Sequence, residues 1–200
     1  MSKSKLNFFS DSEVDSMKKF QNFRNKLFLP ISKLFMKLGL TANLLSYVGL
    51  LILIGFIYYI KIDLKLALIF LFLHVFIDAF DGPLARLMKQ DGDSGSFTDM
   101  VCDHTGMAVV VVTLIWANFI NPVWASIYLY FYTLLIIFVI VRNKLNKPIS
   151  FVIRTKYFLY VLFGVYAFFG VNYLDQGVLI FNLLMLPPLF SSYKSIKNSL

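Results

Sequence analysis

The chain has 200 residues, of which 58% are hydrophobic and only 15% charged, with 22 phenylalanines; this excludes an ordinary soluble domain and makes lipid the solvent for most of its surface. Its formal charge of +8 does not point to nucleic acid, because the lysines and arginines lie beside long apolar runs, where anionic headgroups and phosphorylated substrates are the fitting partners. Cys102 is the only cysteine, so an intrachain disulfide is impossible and a zinc cluster is disfavoured.

Residues 1–40 form a basic lead with no apolar run near the N-terminus, and no cleaved secretory signal is expected. From Asp11 to Leu38 lysines alternate with Met17, Phe20, Phe23, Leu27, Phe28, Ile31, Leu34 and Phe35 at spacings near three and four. That is the pattern of an amphipathic helix lying at a membrane surface, with a cytoplasmic helix packed on the rest of the protein as the lesser alternative. Pro30 predicts a kink or break at about Leu29.

Six stretches then approach the roughly 20 apolar residues that a lipid-spanning helix requires. They are Ala42 to Ile60, Leu64 to Met88, Phe97 to Ile120, Pro122 to Val141, Tyr157 to Val171 and Gln176 to Tyr193. Polar breaks separate them at Lys61 to Asp63, Gln90 to Gly95, Asn121-Pro122, Arg142 to Lys156 and Asn172 to Asp175. The reading is an all-α integral membrane protein, a single domain over 1–200 with six transmembrane helices in 41–193 preceded by the interfacial helix. Placing both termini inside leaves every lysine and arginine except Lys61 and Lys65 on the cytoplasmic side, which is the arrangement the positive-inside rule selects.

Six of the ten aspartates fall between Asp78 and Asp103, and four of them, Asp78, Asp81, Asp99 and Asp103, stand at helical spacing. Asp78 and Asp81 are three apart, and Asp99 and Asp103 four apart, so each pair shares a helix face, and two facing helices would bring four carboxylates together. At membrane depth such a cluster repels itself and is costly to desolvate unless cations neutralise it. Oxygen ligands without histidine or thiolate clusters favour magnesium, manganese or calcium over zinc. Gly82, Ala85 and Arg86 extend the face of Asp78, combining room for a ligand with a guanidinium fork for phosphate oxygens.

The spacing D-x2-D-G-x2-A-R-x8-G-x3-D-x3-D is matched by Asp78, Asp81, Gly82, Ala85, Arg86, Gly95, Asp99 and Asp103, and it resembles the hallmark of the CDP-alcohol phosphotransferase family, class I. The resemblance implies a six-helix, usually homodimeric enzyme of phospholipid biosynthesis. It would move a phosphoalcohol, foremost a phosphatidyl group, from a CDP-linked donor to an acceptor hydroxyl, releasing CMP, with its site on the cytoplasmic side. It further implies that Asp78, Asp81 and Asp99 bind two divalent cations, Mg2+ or Mn2+, and that Asp103 is the catalytic base and also a metal neighbour. Asp78, Gly82, Ala85, Arg86 and Gly95 become donor-binding positions. The alternative within the family is the choline- and ethanolamine-type enzyme, which moves a small phosphoalcohol to a lipid acceptor.

Outside the motif, Thr41-Ala42-Asn43 resembles the Thr-Pro-Asn stretch of many members and makes Asn43 a donor contact, although a helix N-cap at Thr41 accounts for the same residues. His74, one turn before Asp78, is assigned to buried hydrogen bonding ahead of metal binding, and His104 to the acceptor pocket. Arg142, Lys144, Lys147, Arg154 and Lys156 serve topology and headgroup contact. Arg154 and Lys156 are also read as holding a phosphate on the acceptor, such as glycerol phosphate or inositol phosphate. A cation transporter is disfavoured because the acids gather at one end of their helices, and a noncatalytic scaffold because all four aspartates are retained.

Overall fold

The computed structural model describes residues 27–90, 92–145, 147, 149 and 154–199, with Asp93 described in its backbone alone. The expected amphipathic helix therefore lies outside the described residues as far as residue 26. Among the described residues every regular element is a helix: α1 over 27–37, α2 Ala42–Tyr59, α3 Leu64–Leu87, α4 Asp93–Trp116, α5 Pro122–Lys144, α6 Thr155–Phe169 and α7 Leu174–Lys197. Residues 27–37 are helical throughout, so the chain does not break at Leu29; a proline removes one backbone hydrogen bond without necessarily ending a helix.

Local chemistry sets the helix ends. The Thr41 hydroxyl accepts from the Leu44 N–H at 3.3 Å, and Asp63 accepts from the Lys65 and Leu66 N–H groups at 2.8 and 3.1 Å. Asn121 caps α5 in the same way, with Pro122 in the first helical position, where its missing N–H is no loss. Gly39, Lys89 and Asn118 take positive φ after α1, α3 and α4. In each case that residue's N–H bonds three residues back and the next N–H bonds five back, as in Leu40 to Phe35, Gln90 to Ala85 and Phe119 to Leu114, which is a Schellman stop.

Helix ends differ from the expected stretches by up to four residues, as at α7, which runs Leu174–Lys197 rather than Gln176 to Tyr193, and both ends of α4 shift. Helix α4 begins at Asp93 rather than Phe97, because polar residues are tolerated in a first turn whose N–H groups lack intrahelical partners. It ends at Trp116 rather than Ile120, because Asn118 turns into the left-handed region although apolar residues continue beyond it. Among the described residues four helices are long and apolar enough to cross a membrane: α2, α4 from Ser94, α5 and α7. Helix α6 is apolar but has only 15 residues, and α3 has 24, including Lys65, Asp78, Asp81 and Arg86.

The chain forms two compact units that meet in sequence at Thr113 and Leu114. In the first, α2 buries the stripe Ala42, Leu45, Ser46, Gly49, Leu53 and Phe56, and α3 buries Phe80 and Leu84 against Leu45. Helix α1 covers that cluster with Phe28 and Phe35, whose ring centroids lie 4.6 and 5.6 Å from that of Phe80. Gly55 admits the Phe70 ring onto α2, since a Cβ there would fall 2.2 Å from it. In the second unit, α5 and α7 are tied at their starts: the Asn121 N–H donates to Asp175 at 2.6 Å, and the Asn172 side chain donates to the Phe119 carbonyl at 2.8 Å.

Candidate metal and donor site

The last turns of α3 carry Asp78, Asp81, Gly82, Ala85 and Arg86, and the first turns of α4 carry Gly95, Asp99 and Asp103. One carboxylate oxygen from each of Asp78, Asp81 and Asp99 lies within 4.8 Å of the others. Asp81 is only 6% exposed, Asp78 is half-buried and Asp99 exposed, so the cluster runs from the protein interior to its surface. Asp103, half-buried, stands outside this group of three, one turn further along α4. The donor set suits a hard divalent cation: three carboxylates converge, and neither a histidine nor a thiol joins them among the described residues.

Two neighbours grip the buried Asp81 carboxylate. The Gly82 N–H donates to Asp81 Oδ1 at 2.5 Å, and the Ser46 hydroxyl, on α2, lies 3.1 Å from Oδ2. The motif glycines have steric reasons as well. A Cβ at Gly82 would stand 3.3 Å from Arg86 Nη1, so the bare backbone leaves the guanidinium room to fold back one turn. A Cβ at Gly95 would stand 3.2 Å from the Gln90 carbonyl, where the turn after α3 closes on the start of α4.

Behind the carboxylates, His74 is buried, with Nδ1 2.9 Å from the Gly49 carbonyl of α2. A Cβ on Gly106 of α4 would fall 2.8 Å from its Nε2. The imidazole is thus packed among α2, α3 and α4, as the hydrogen-bonding assignment anticipates, and it is not part of the carboxylate cluster.

Residues 39–187 match the CDP-alcohol phosphatidyltransferase family. The chain belongs to that family. It is accordingly a CDP-alcohol phosphotransferase, and all eight motif positions lie within the matched region. Its fold is similar to that of phosphatidylinositol phosphate synthase (PgsA1) of Mycobacterium tuberculosis. With the structure of that enzyme with CDP-DAG bound, the TM-score is 0.70 at 16% identity, over 86% of this chain and 94% of that one. With its complex with manganese and citrate, the TM-score is 0.65 at 16% identity, over 84% and 87%. No curated protein matches the chain in sequence.

The remaining residues singled out for this family chemistry are spread along the chain. Thr41 caps α2, and Asn43 is exposed in its first turn. His104 is half-buried on α4 beside Asp103, and Ala85 is half-buried on α3. Arg154 and Lys156 belong to the second unit, at the start of α6. Lys156 is 3% exposed, with Nζ 4.7 Å from the Tyr157 ring centroid. Sequence reasoning missed Ser46. Its signal is a hydroxyl at a buried-stripe position of an otherwise apolar helix, where a polar group needs a partner.

Proposed function

We propose that this family member transfers a phosphatidyl group from CDP-diacylglycerol to an alcohol acceptor, releasing CMP, in phospholipid biosynthesis and with a divalent metal. The observation that carries this reading is the convergence of Asp78, Asp81 and Asp99 within 4.8 Å, beside an arginine folded over a motif glycine. The fold likeness to an enzyme whose structures hold CDP-DAG in one case and manganese in another supports the donor and the metal.

Asp78, Asp81 and Asp99 would hold two cations, Mg2+ or Mn2+. When bound, such ions neutralise pyrophosphate charge and act as Lewis acids at phosphoryl oxygens. The chain's own residues do the rest. Arg86 grips donor phosphate oxygens in its planar fork, while Gly82, Ala85 and Gly95 leave space for the nucleotide, with Asn43 at the donor's edge. Asp103, set apart from the three ligands, takes the proton of the acceptor hydroxyl as its oxygen attacks the donor phosphorus. The new oxygen–phosphorus bond replaces the one to CMP, and no covalent enzyme intermediate is involved. His104, Arg154 and Lys156 serve the acceptor, and two cationic side chains suit a phosphorylated alcohol.

In the same reading the chain is a multi-pass protein of six spans, with α3 and α6 added to the four long apolar helices. Its exposed lead residues Leu27, Leu34 and Leu38 lie at the membrane surface. Both termini and the site face the cytoplasm, and the enzyme is a homodimer. The test is CMP release by purified protein in detergent, comparing CDP-diacylglycerol with CDP-choline and CDP-ethanolamine against glycerol phosphate, inositol phosphate and unphosphorylated alcohols. Turnover with CDP-diacylglycerol and a phosphorylated acceptor is expected. Turnover confined to CDP-choline or CDP-ethanolamine with a lipid acceptor would replace this reading with the choline-type one.

A further inference from the structure

We infer that Ser46 is a positioning residue for the metal centre: from α2, a helix without any motif residue, it fixes the orientation of the Asp81 carboxylate. The inference rests on the metal-dependent reading above. Asp81 is the most deeply buried of the three clustered aspartates, so water is least able to orient it and neighbouring protein groups must. Its two oxygens are addressed from different sides, Oδ1 by the Gly82 N–H of its own helix and Oδ2 by the Ser46 hydroxyl. A carboxylate oxygen that accepts one such bond keeps another lone pair for a cation. Donors behind a ligand fix its direction, and their loss typically lowers metal affinity or activity by about 10- to 100-fold.

Ser46 has a competing acceptor, the Ala42 carbonyl one turn back, at 3.3 Å. The hydroxyl has a single proton, and the Asp81 oxygen is nearer, at 3.1 Å, and as a carboxylate holding a cation it would be charged, which makes it the stronger acceptor. The ordinary helix back-bond is therefore the lesser use of this side chain. Ser46 is itself 5% exposed and belongs to the buried stripe of α2. The register of α2 against α3 is pinned one turn away, where the Gly49 carbonyl meets His74 Nδ1 at 2.9 Å. The hydroxyl is thus presented from a rigid support, the condition for a preorganised site.

The experiment is a manganese titration of the full chain in detergent, followed by electron paramagnetic resonance of free and bound Mn2+, with thermal unfolding of each preparation alongside. Ser46→Ala is expected to weaken Mn2+ binding by about 10- to 100-fold and to alter the bound-Mn2+ spectrum, with the unfolding midpoint near that of the unsubstituted protein. Ser46→Cys, which keeps the shape but has only a weak S–H donor, is expected to weaken binding in the same direction and serves if the alanine variant does not fold. Affinity within about twofold of the unsubstituted protein in either folded variant, while Asp81→Asn loses binding, would overturn the role of Ser46 and leave the metal site standing. Equal binding by the unsubstituted protein and Asp81→Asn would overturn both.

Discussion

The unit ending at Thr113 and the unit beginning at Leu114 both bury polar side chains, but to different ends. In the first, Ser46 and Gly82 donate to Asp81, which meets Asp78 and Asp99 within 4.8 Å, so polar groups are gathered around like charge. In the second, Tyr128, Thr155 and the Asn182 amide N–H are settled in separate pairs. Tyr128 shares a hydrogen bond with Thr155 at 3.0 Å, and Asn182 donates to the Trp124 carbonyl at 3.0 Å. Pairing of that kind offsets the burial of polar atoms and holds helices together. Crowding three carboxylates does neither, and its physical sense is a cation.

Substitutions can break this contrast. The largest effect is expected for Asp81→Asn, which should lower CMP release by on the order of 10³-fold, the loss of several kcal/mol of metal-dependent stabilisation. Tyr128→Phe, in the other unit, should leave turnover within about twofold and lower stability by about 1 kcal/mol in thermal or denaturant unfolding. Asp103→Asn should reduce kcat by about 10²-fold while Mn2+ affinity stays near that of the unsubstituted protein, which would separate the proposed base from the three proposed ligands.

Two glycines sharpen the comparison at smaller magnitude. Gly106→Ala pushes a methyl toward His74 Nε2, 2.8 Å away; it should cost about 1–3 kcal/mol of stability and weaken Mn2+ binding as well, because α4 carries Asp99. Gly177→Ala meets the tip of Leu162, a flexible end that can move aside, and should cost less and leave Mn2+ binding unchanged. The smallest effect is expected for Lys89→Gly, which relieves a left-handed non-glycine stop and should raise the unfolding temperature by roughly 2–4 degrees.

Much of this was legible because the informative residues act locally. Thr41, Asp63 and Asn121 cap α2, α3 and α5 from just outside the apolar runs, so hydropathy and capping chemistry agree on where those helices begin. At α4 they diverge. Asp93, Ser94, Gly95 and Ser96 look like a loop by polarity yet form a first helical turn, while Phe119 and Ile120 look like a span yet follow the Asn118 turn. Hydropathy reports the solvent a residue prefers, not the backbone it adopts. The motif located the aspartates, but spacing alone could not say that three of them converge and Asp103 stands apart. The role of Ser46 was least visible, since its partner is 35 residues away and nothing in the α2 sequence carries a charge to announce it.

The most direct test of the central claim is CMP release from CDP-diacylglycerol in the presence of acceptor, followed as a chelator is added and Mn2+ is then restored. The account requires release to fall to background with the chelator and to return with Mn2+, and to stay at background throughout in Asp81→Asn. Release that is indifferent to the chelator, or that survives Asp81→Asn, would contradict it.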